Sequence, residues 1–248
     1  MKKNNSKTPV LTLIIIFAAF VYSGSLIDNL NFLKINFVQL SNQITQKDPY
    51  KYSKIDTARK VKYLNNLEKD VILELNKVRT NPPLYAKTQL VQLRSYYKGD
   101  VIKYPNRLQI KTQEGVKAVD ECIAVLSKTK PIGALSPSEG LSKAARDMVK
   151  DQSPTSNVGH TGRDGSSPFD RMNRYGKWLS TAGENIDYGY NQADLIVLSL
   201  LVDDGVADRG HRTNILNKNF KVVGVASGTH KLYRNMFMMD FAGGYQEK

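Results

Sequence analysis

Residues 221–241 read KVVGVASGTHKLYRNMFMMDF, and this stretch decides the class of fold. Apolar residues dominate 221–226 and 233–241 with period 2, and Ser227-Gly228-Thr229-His230-Lys231 lies between them. That pattern predicts two strands joined as a hairpin, with His230 in the turn as a structural residue. A half-buried hairpin needs a partner layer, and the sequence upstream supplies helices.

Val61, Leu64, Leu67, Val71, Leu75 and Val78 recur at three- and four-residue intervals from Arg59 onward, which is helical periodicity. Asn81-Pro82-Pro83 ends that helix, because proline lacks an amide hydrogen and pushes its predecessor out of the helical region. A second helix is expected over 113–127. A third follows Ser138 as its N-cap and places Leu141, Ala144, Ala145, Met148 and Val149 on one face. Residues 151–182 are rich in Gly, Ser, Pro, Asn and Asp and predict loop with a short helix at 169–173. Residues 193–202 are nearly all apolar and predict a buried fourth helix. Helices first and strands last indicate an α+β domain and not a parallel α/β fold.

The amino terminus has the order of an export signal. Lys2, Lys3 and Lys7 precede an apolar run from Val10 to Val21 broken only by Thr12, and Ser23, Gly24 and Ser25 follow. The expected organisation is a signal at 1–25, an extension at 26–57 and one domain at 58–248. The alternative is an uncleaved signal anchor, although the apolar run is shorter than the roughly 20 residues that span a bilayer. Removing the signal takes three lysines and no acid, so +10 of the formal charge of +13 remains. The basic residues are scattered and do not form a block, which argues against nucleic acid and limits membrane contact to the signal and weak electrostatics. Cys122 is the only cysteine, so no intrachain disulfide forms, and its apolar neighbours predict a buried small hydrophobe.

The chemistry gathers around two of the three histidines. His160 stands in Gly159-His160-Thr161-Gly162, His211 in Gly210-His211-Arg212, and Gly183-Glu184-Asn185 lies almost midway between them. Two imidazoles and a carboxylate from separate segments suit a metal site or an acid/base cleft. Asp203, Asp204 and Asp208 precede His211, and one of them would complete a set of two imidazoles and two carboxylates suited to zinc or a related divalent ion. The plainer alternative makes these acids caps and ion-pair partners, with Glu184 only holding an imidazole in one tautomer. HExxH, CxxC, GxSxG and GxxxxGK[ST] signatures are all absent.

Taken in order, His160 with DGSSPFDRM, then GENI, GHRTNIL and NFKVVGVASG, resemble the CAP superfamily of secreted cysteine-rich, venom-antigen and pathogenesis-related proteins. Asn76-Lys77-Val78-Arg79-Thr80-Asn81-Pro82 and 141–151 extend the resemblance upstream. Without disulfides the chain is most similar to bacterial and protist members. The resemblance implies a three-layer α-β-α sandwich with a wide cleft. By motif, His160, His211 and Glu184 match the family's cleft residues. The second acid has no matching motif, and Asp204 is taken as the candidate.

The leading expectation is a secreted binding protein. Its cleft holds a divalent cation such as zinc on His160 and His211, and an apolar groove takes a sterol or fatty acid, as in some members. Two other readings stay open. One is a protease- or esterase-like hydrolase with a cleft histidine as general base polarised by Glu184, for which Ser166 and Ser167 are the nearest serines in sequence. The other is a non-catalytic extracellular module read by a protein partner.

Overall fold

The computed structural model describes residues 49–248, and the signal and most of the extension expected before them lie outside the described residues. In chain order come helices α1 (Tyr52–Ile55), α2 (Asn66–Thr80) and α3 (Pro82–Tyr85), then a π-helical turn (Ala86–Leu90) running into α4 (Val91–Ser95). Strands β1 (Tyr97–Lys98), β2 (Val101–Ile102) and β3 (Ile110–Lys111) follow, then α5 (Val116–Lys128), β4 (Ser136–Pro137), α6 (Glu139–Gln152), α7 (Pro168–Tyr175), β5 (Gly176–Trp178) and β6 (Ala182–Tyr188). The chain continues through α8 (Ala193–Val202), α9 (Gly210–Ile215), β7 (Val222–His230), β8 (Arg234–Ala242) and β9 (Tyr245–Glu247).

The hairpin is β7 and β8, with Val223 opposite Phe241 and His230 opposite Arg234. It forms the middle of a four-stranded sheet ordered β4-β7-β8-β6, in which only β4 runs parallel to its neighbour. One face packs α6 and α7, where Leu141, Ala144, Ala145 and Met148 meet Ala226, Met236, Met238 and Ala242. The other face carries Val223, Val225, Phe237, Met239 and Phe241 against α2, α5 and α8. This is the α-β-α sandwich that the resemblance implied, within the α+β class that the pattern indicated. The α6 backbone reaches the sheet because β7 offers no side chain at two points. A Cβ on Gly224 would lie 2.1 Å from the Leu141 carbonyl carbon, and one on Gly228 would lie 2.2 Å from Val149 Cγ1.

Several expectations shift. Helix α2 begins at Asn66 and not near Arg59, because Asn65 and Glu68 form a reciprocal capping box that defines its start. Leu64 precedes the helix yet is buried in the same core. Helix α5 starts at Val116 because Gly115 at its N-cap has φ 66°. The compact unit begins at Tyr50, so residues 50–57, expected in the extension, pack with the domain. Ile55 is buried there, and its carbonyl accepts from Asn76 Nδ2. Strand β6 falls where the sequence pattern predicts no strand. It forms the sheet edge, and it carries the site.

Candidate functional site

Strand β6 reads Ala-Gly-Glu-Asn-Ile-Asp-Tyr, and alternation sends Glu184, Ile186 and Tyr188 to the α6 face and Asn185 and Asp187 to the α8 face. The two sequence-predicted histidines attach to opposite sides of this one strand.

On the α6 side, His160 Nδ1 is 2.7 Å from Glu184 Oε1. The loop that presents it closes on itself: Gln152 Nε2 donates to the Gly159 carbonyl, the Gly159 amide donates to Tyr188 Oη, and Tyr188 Oη–H donates to Gln152 Oε1. The second Glu184 oxygen accepts from Arg171 Nη2 at 2.7 Å, and the same nitrogen donates to the His160 carbonyl at 3.0 Å. Arg171 comes from α7, whose start is defined by Ser167 and Asp170 in a capping box. Opposite Glu184 in the ladder stands Asp240, 0 % exposed. Burial, and then the Glu184 charge, raise its pKa well above the carboxylate range. The retained proton avoids two adjacent buried anions, and among the described residues neither Asp240 oxygen has a hydrogen-bond partner of ordinary geometry.

On the α8 side, His211 Nδ1 is 2.6 Å from Asp203 Oδ1, and its backbone amide donates to Asp203 Oδ2 at 2.9 Å. Asp203 closes α8 in the left-handed region at φ 57°, a conformation uncommon for a residue with a side chain. Arg209 fixes the loop by donating to the Asp203 and Val206 carbonyls and pairing with Glu114 and Glu121. Asn185 Nδ2 donates to the His211 carbonyl and thereby ties α9 to β6.

The acid at His211 is therefore Asp203 and not Asp204. Asp204 accepts the Gln113 and Glu114 amides at 2.6 and 2.8 Å and anchors the segment before α5. Among the described residues, Asp208 accepts the Gly210 amide two residues on and does not contact His211. His230 is structural: its Nε2–H donates to the Asn157 carbonyl, and Nδ1 accepts the Leu232 and Tyr233 amides. Cys122 is buried as expected, and burial pushes its thiol up to about 12.

In both pairs the carboxylate accepts a hydrogen bond from Nδ1–H, so the neutral ring keeps its lone pair on Nε2. His160 and His211 keep side-chain exposures of 47 % and 25 %, so solvent reaches both rings. The donor chemistry of the rings fits a divalent cation, with carboxylates that orient imidazoles rather than bind the ion. A closed set of two imidazoles and two carboxylates fits less well, since both acids are spent on Nδ1. Among the described residues, no three His, Cys, Asp or Glu side chains form a metal-holding group.

Beside His211 opens a cavity of about 480 Å³. Asp187, Asp203, Asp204 and Ser199 share it with His211, its apolar wall includes Leu93, Leu195 and Leu198, and Ile102 and Ile110 reach it from the β2–β3 hairpin. His160 and Glu184 are not among its lining residues. Asp187 and Asp240 escape a reading of the sequence alone. The one available signal for each is a charge inside an otherwise apolar or buried-looking run.

Residues 74–241 match the model of the CAP family, described as the cysteine-rich secretory protein family. Over 87 residues the chain is 38 % identical to the uncharacterized protein YkwD of Bacillus subtilis, a match covering 35 % of this chain and 32 % of that protein. The chain thus spans about a third of the length of the curated relative that it matches. Two solved structures are also similar. An outer surface protein of Borrelia burgdorferi has a TM-score of 0.39 and 17 % identity, with coverage of 47 % of this chain and 80 % of that one. An extracellular protein containing a SCP domain from Bacillus anthracis has a TM-score of 0.36 and 20 % identity, with coverage of 51 % and 37 %. The family match runs from within α2 almost to the end of β8, across every strand and helix that builds the two histidine–carboxylate pairs, and this single-cysteine chain belongs to the CAP family.

Proposed function

We propose that the protein is exported and acts by binding: the cavity beside His211 takes a small amphipathic ligand, and His160 and His211 offer Nε2 to a divalent cation such as zinc. The observation that carries this reading is the cavity itself. At about 480 Å³ it falls in the range of small-molecule sites, and its wall joins apolar and aromatic residues to a nearly equal share of polar ones that includes His211, Asp187, Asp203, Asp204 and Ser199. Of the two lipids implied by the resemblance, a sterol hydroxyl suits this lining better than a fatty-acid carboxylate, which would meet Asp187, Asp203 and Asp204. Export is supported by the charged, apolar and small-residue order of residues 1–25 and by the family's description. No helix among the described residues is long and apolar enough to cross a membrane.

The hydrolase reading has less support. The Ser167 hydroxyl is spent on Asp170 and that of Ser199 on Asp187, and among the described residues neither His160 nor His211 is hydrogen-bonded to a serine hydroxyl. Titration calorimetry with zinc tests the cation half. The double variant His160→Ala/His211→Ala loses uptake, and Asp203→Ala weakens it by about 10- to 100-fold, as loss of an orienting partner does. Asp204→Ala stays within about twofold, because its hydrogen bonds go to the backbone and not to a ring. Unchanged uptake in the double variant discards the cation assignment.

A further inference from the structure

The cavity beside His211 holds a carboxylate that serves neither imidazole. Asp187 is 5 % exposed and lines the cavity. Its Oδ1 accepts the Ser199 hydroxyl, its Oδ2 is buried without a hydrogen bond of ordinary geometry, and of the described backbone only the Tyr190 amide draws on this carboxylate. A buried acceptor left in that state costs the protein its full desolvation penalty, so it marks a place where a donor is missing.

The surroundings define that donor. Asp203 and Asp204 line the same cavity, opposed by Lys111 and His211 alone, although the whole chain is basic by 13 charges. Lys111 is directed to Asp100, 3.9 Å away, and is largely exposed. Tyr97, Tyr104, Tyr188, Tyr190 and Tyr233 also line the cavity, and the Tyr104 ring already takes one cation, the Arg107 guanidinium 5.8 Å from its centroid, as aromatic faces do. An anion would be repelled by three carboxylates. A bare metal ion would find one free oxygen and no closed ligand set. An ammonium group on an apolar tail satisfies Oδ2, the charge and the rings together.

We propose that this cavity binds an organic ammonium ion with a short apolar tail, its N–H donating to Asp187 Oδ2 and its tail lying against Leu93, Ile102 and Leu198. The assignment rests on the cavity being a ligand site and names the head group that the site selects. Charge-assisted hydrogen bonds are about twice as strong as neutral ones, and the low dielectric around Asp187 strengthens this one further.

Titration calorimetry of the purified protein with octylammonium, octan-1-ol and octanoate at about pH 8, above the value of about 7 to which burial raises Asp187, tests the assignment on the ionised carboxylate. Wild type is expected to bind octylammonium at least tenfold more tightly than octan-1-ol, and octanoate least. Asp187→Asn, which keeps the shape, is expected to lose that preference and to bind octylammonium and octan-1-ol alike. Equal affinity of wild type for octylammonium and octan-1-ol overturns the assignment without any variant. So does octylammonium binding that Asp187→Asn leaves unchanged, or octanoate binding as tight as that of octylammonium. In those cases the cavity remains a ligand site for a neutral or anionic head. If none of the three binds, the cavity reading and the ammonium assignment fall together.

Discussion

Each imidazole of the site is governed by a single carboxylate, and the choice of that carboxylate depends on backbone conformation. Asp203 reaches His211 because it ends α8 in the left-handed region, which turns its side chain back toward α9, whereas Asp204 one residue later faces the segment before α5. Asp187 carries the clearest pH dependence. Burial pushes its pKa up to about 7, against the opposing pull of the Ser199 hydroxyl, the Tyr190 amide and, when its ring is protonated, His211. The unfolded chain ionises at the ordinary carboxylate value. Between about pH 4 and pH 7 the folded state therefore holds the extra proton, and the contribution of Asp187 to stability falls as pH rises through that window and is level above it. Asp187→Asn removes the effect. Relative to wild type it is expected to gain up to about 4 kcal/mol at pH 8 and to differ by less than about 1 kcal/mol at pH 4. Urea unfolding of both proteins at the two pH values measures the difference, and equal gains at both would mean that the carboxyl is not held neutral by the fold.

At the scale of elements, the site depends on how closely α6 lies on the sheet. Gly224 and Gly228 flank Ala226 on one face of β7, and the small stripe lets α6 approach, with its backbone over Gly224 and the Val149 side chain over Gly228. A side chain at Gly224 would collide with the α6 main chain, which cannot rotate away as a flexible side chain can. Gly224→Ala is thus expected to destabilise the domain by about 3 kcal/mol or more, with the loss visible as a lower denaturant midpoint at unchanged slope. A change under about 1 kcal/mol would show that α6 can shift outward. The longer helices were legible in sequence because apolar content and caps are local: Ala193–Val202 appears as read and Ser138 caps α6 as expected, whereas the short helices α1, α3, α4 and α9 were not read. Strand β6 was not legible. Glu184, Asn185 and Asp187 interrupt its alternation, and their burial follows from partners on β8, α7 and α9 that lie far away in sequence.

Across the whole molecule, the segments around the site are tied together by one buried guanidinium. Arg79, 0 % exposed, donates to the carbonyls of Gly133, Ile215, Asn217 and Phe220, so the end of α2 holds the approach to β4 and the turn between α9 and β7. Burial lowers its pKa to about 10, which leaves it charged at neutral pH. Arg79→Met would strand four acceptors and is expected to cost about 3–5 kcal/mol, and Arg79→Lys would recover little because an ammonium cannot fork to all four. Thermal unfolding monitored by circular dichroism checks both variants, and a Lys variant near wild type would refute the role of the fork. The sequence by itself determined the class of fold, the hairpin and the buried α8, because turns, caps and apolar runs act over a few residues, while His160, His211 and Glu184 were singled out by their Gly-rich settings and motif. Tertiary structure alone decided that Asp203 and not Asp204 serves His211, that the histidines join opposite faces of one edge strand, and that Asp187 and Asp240 are buried acids. Those outcomes depend on long-range pairing such as Glu184 with Asp240, and no local pattern encodes which distant group a polar side chain will meet.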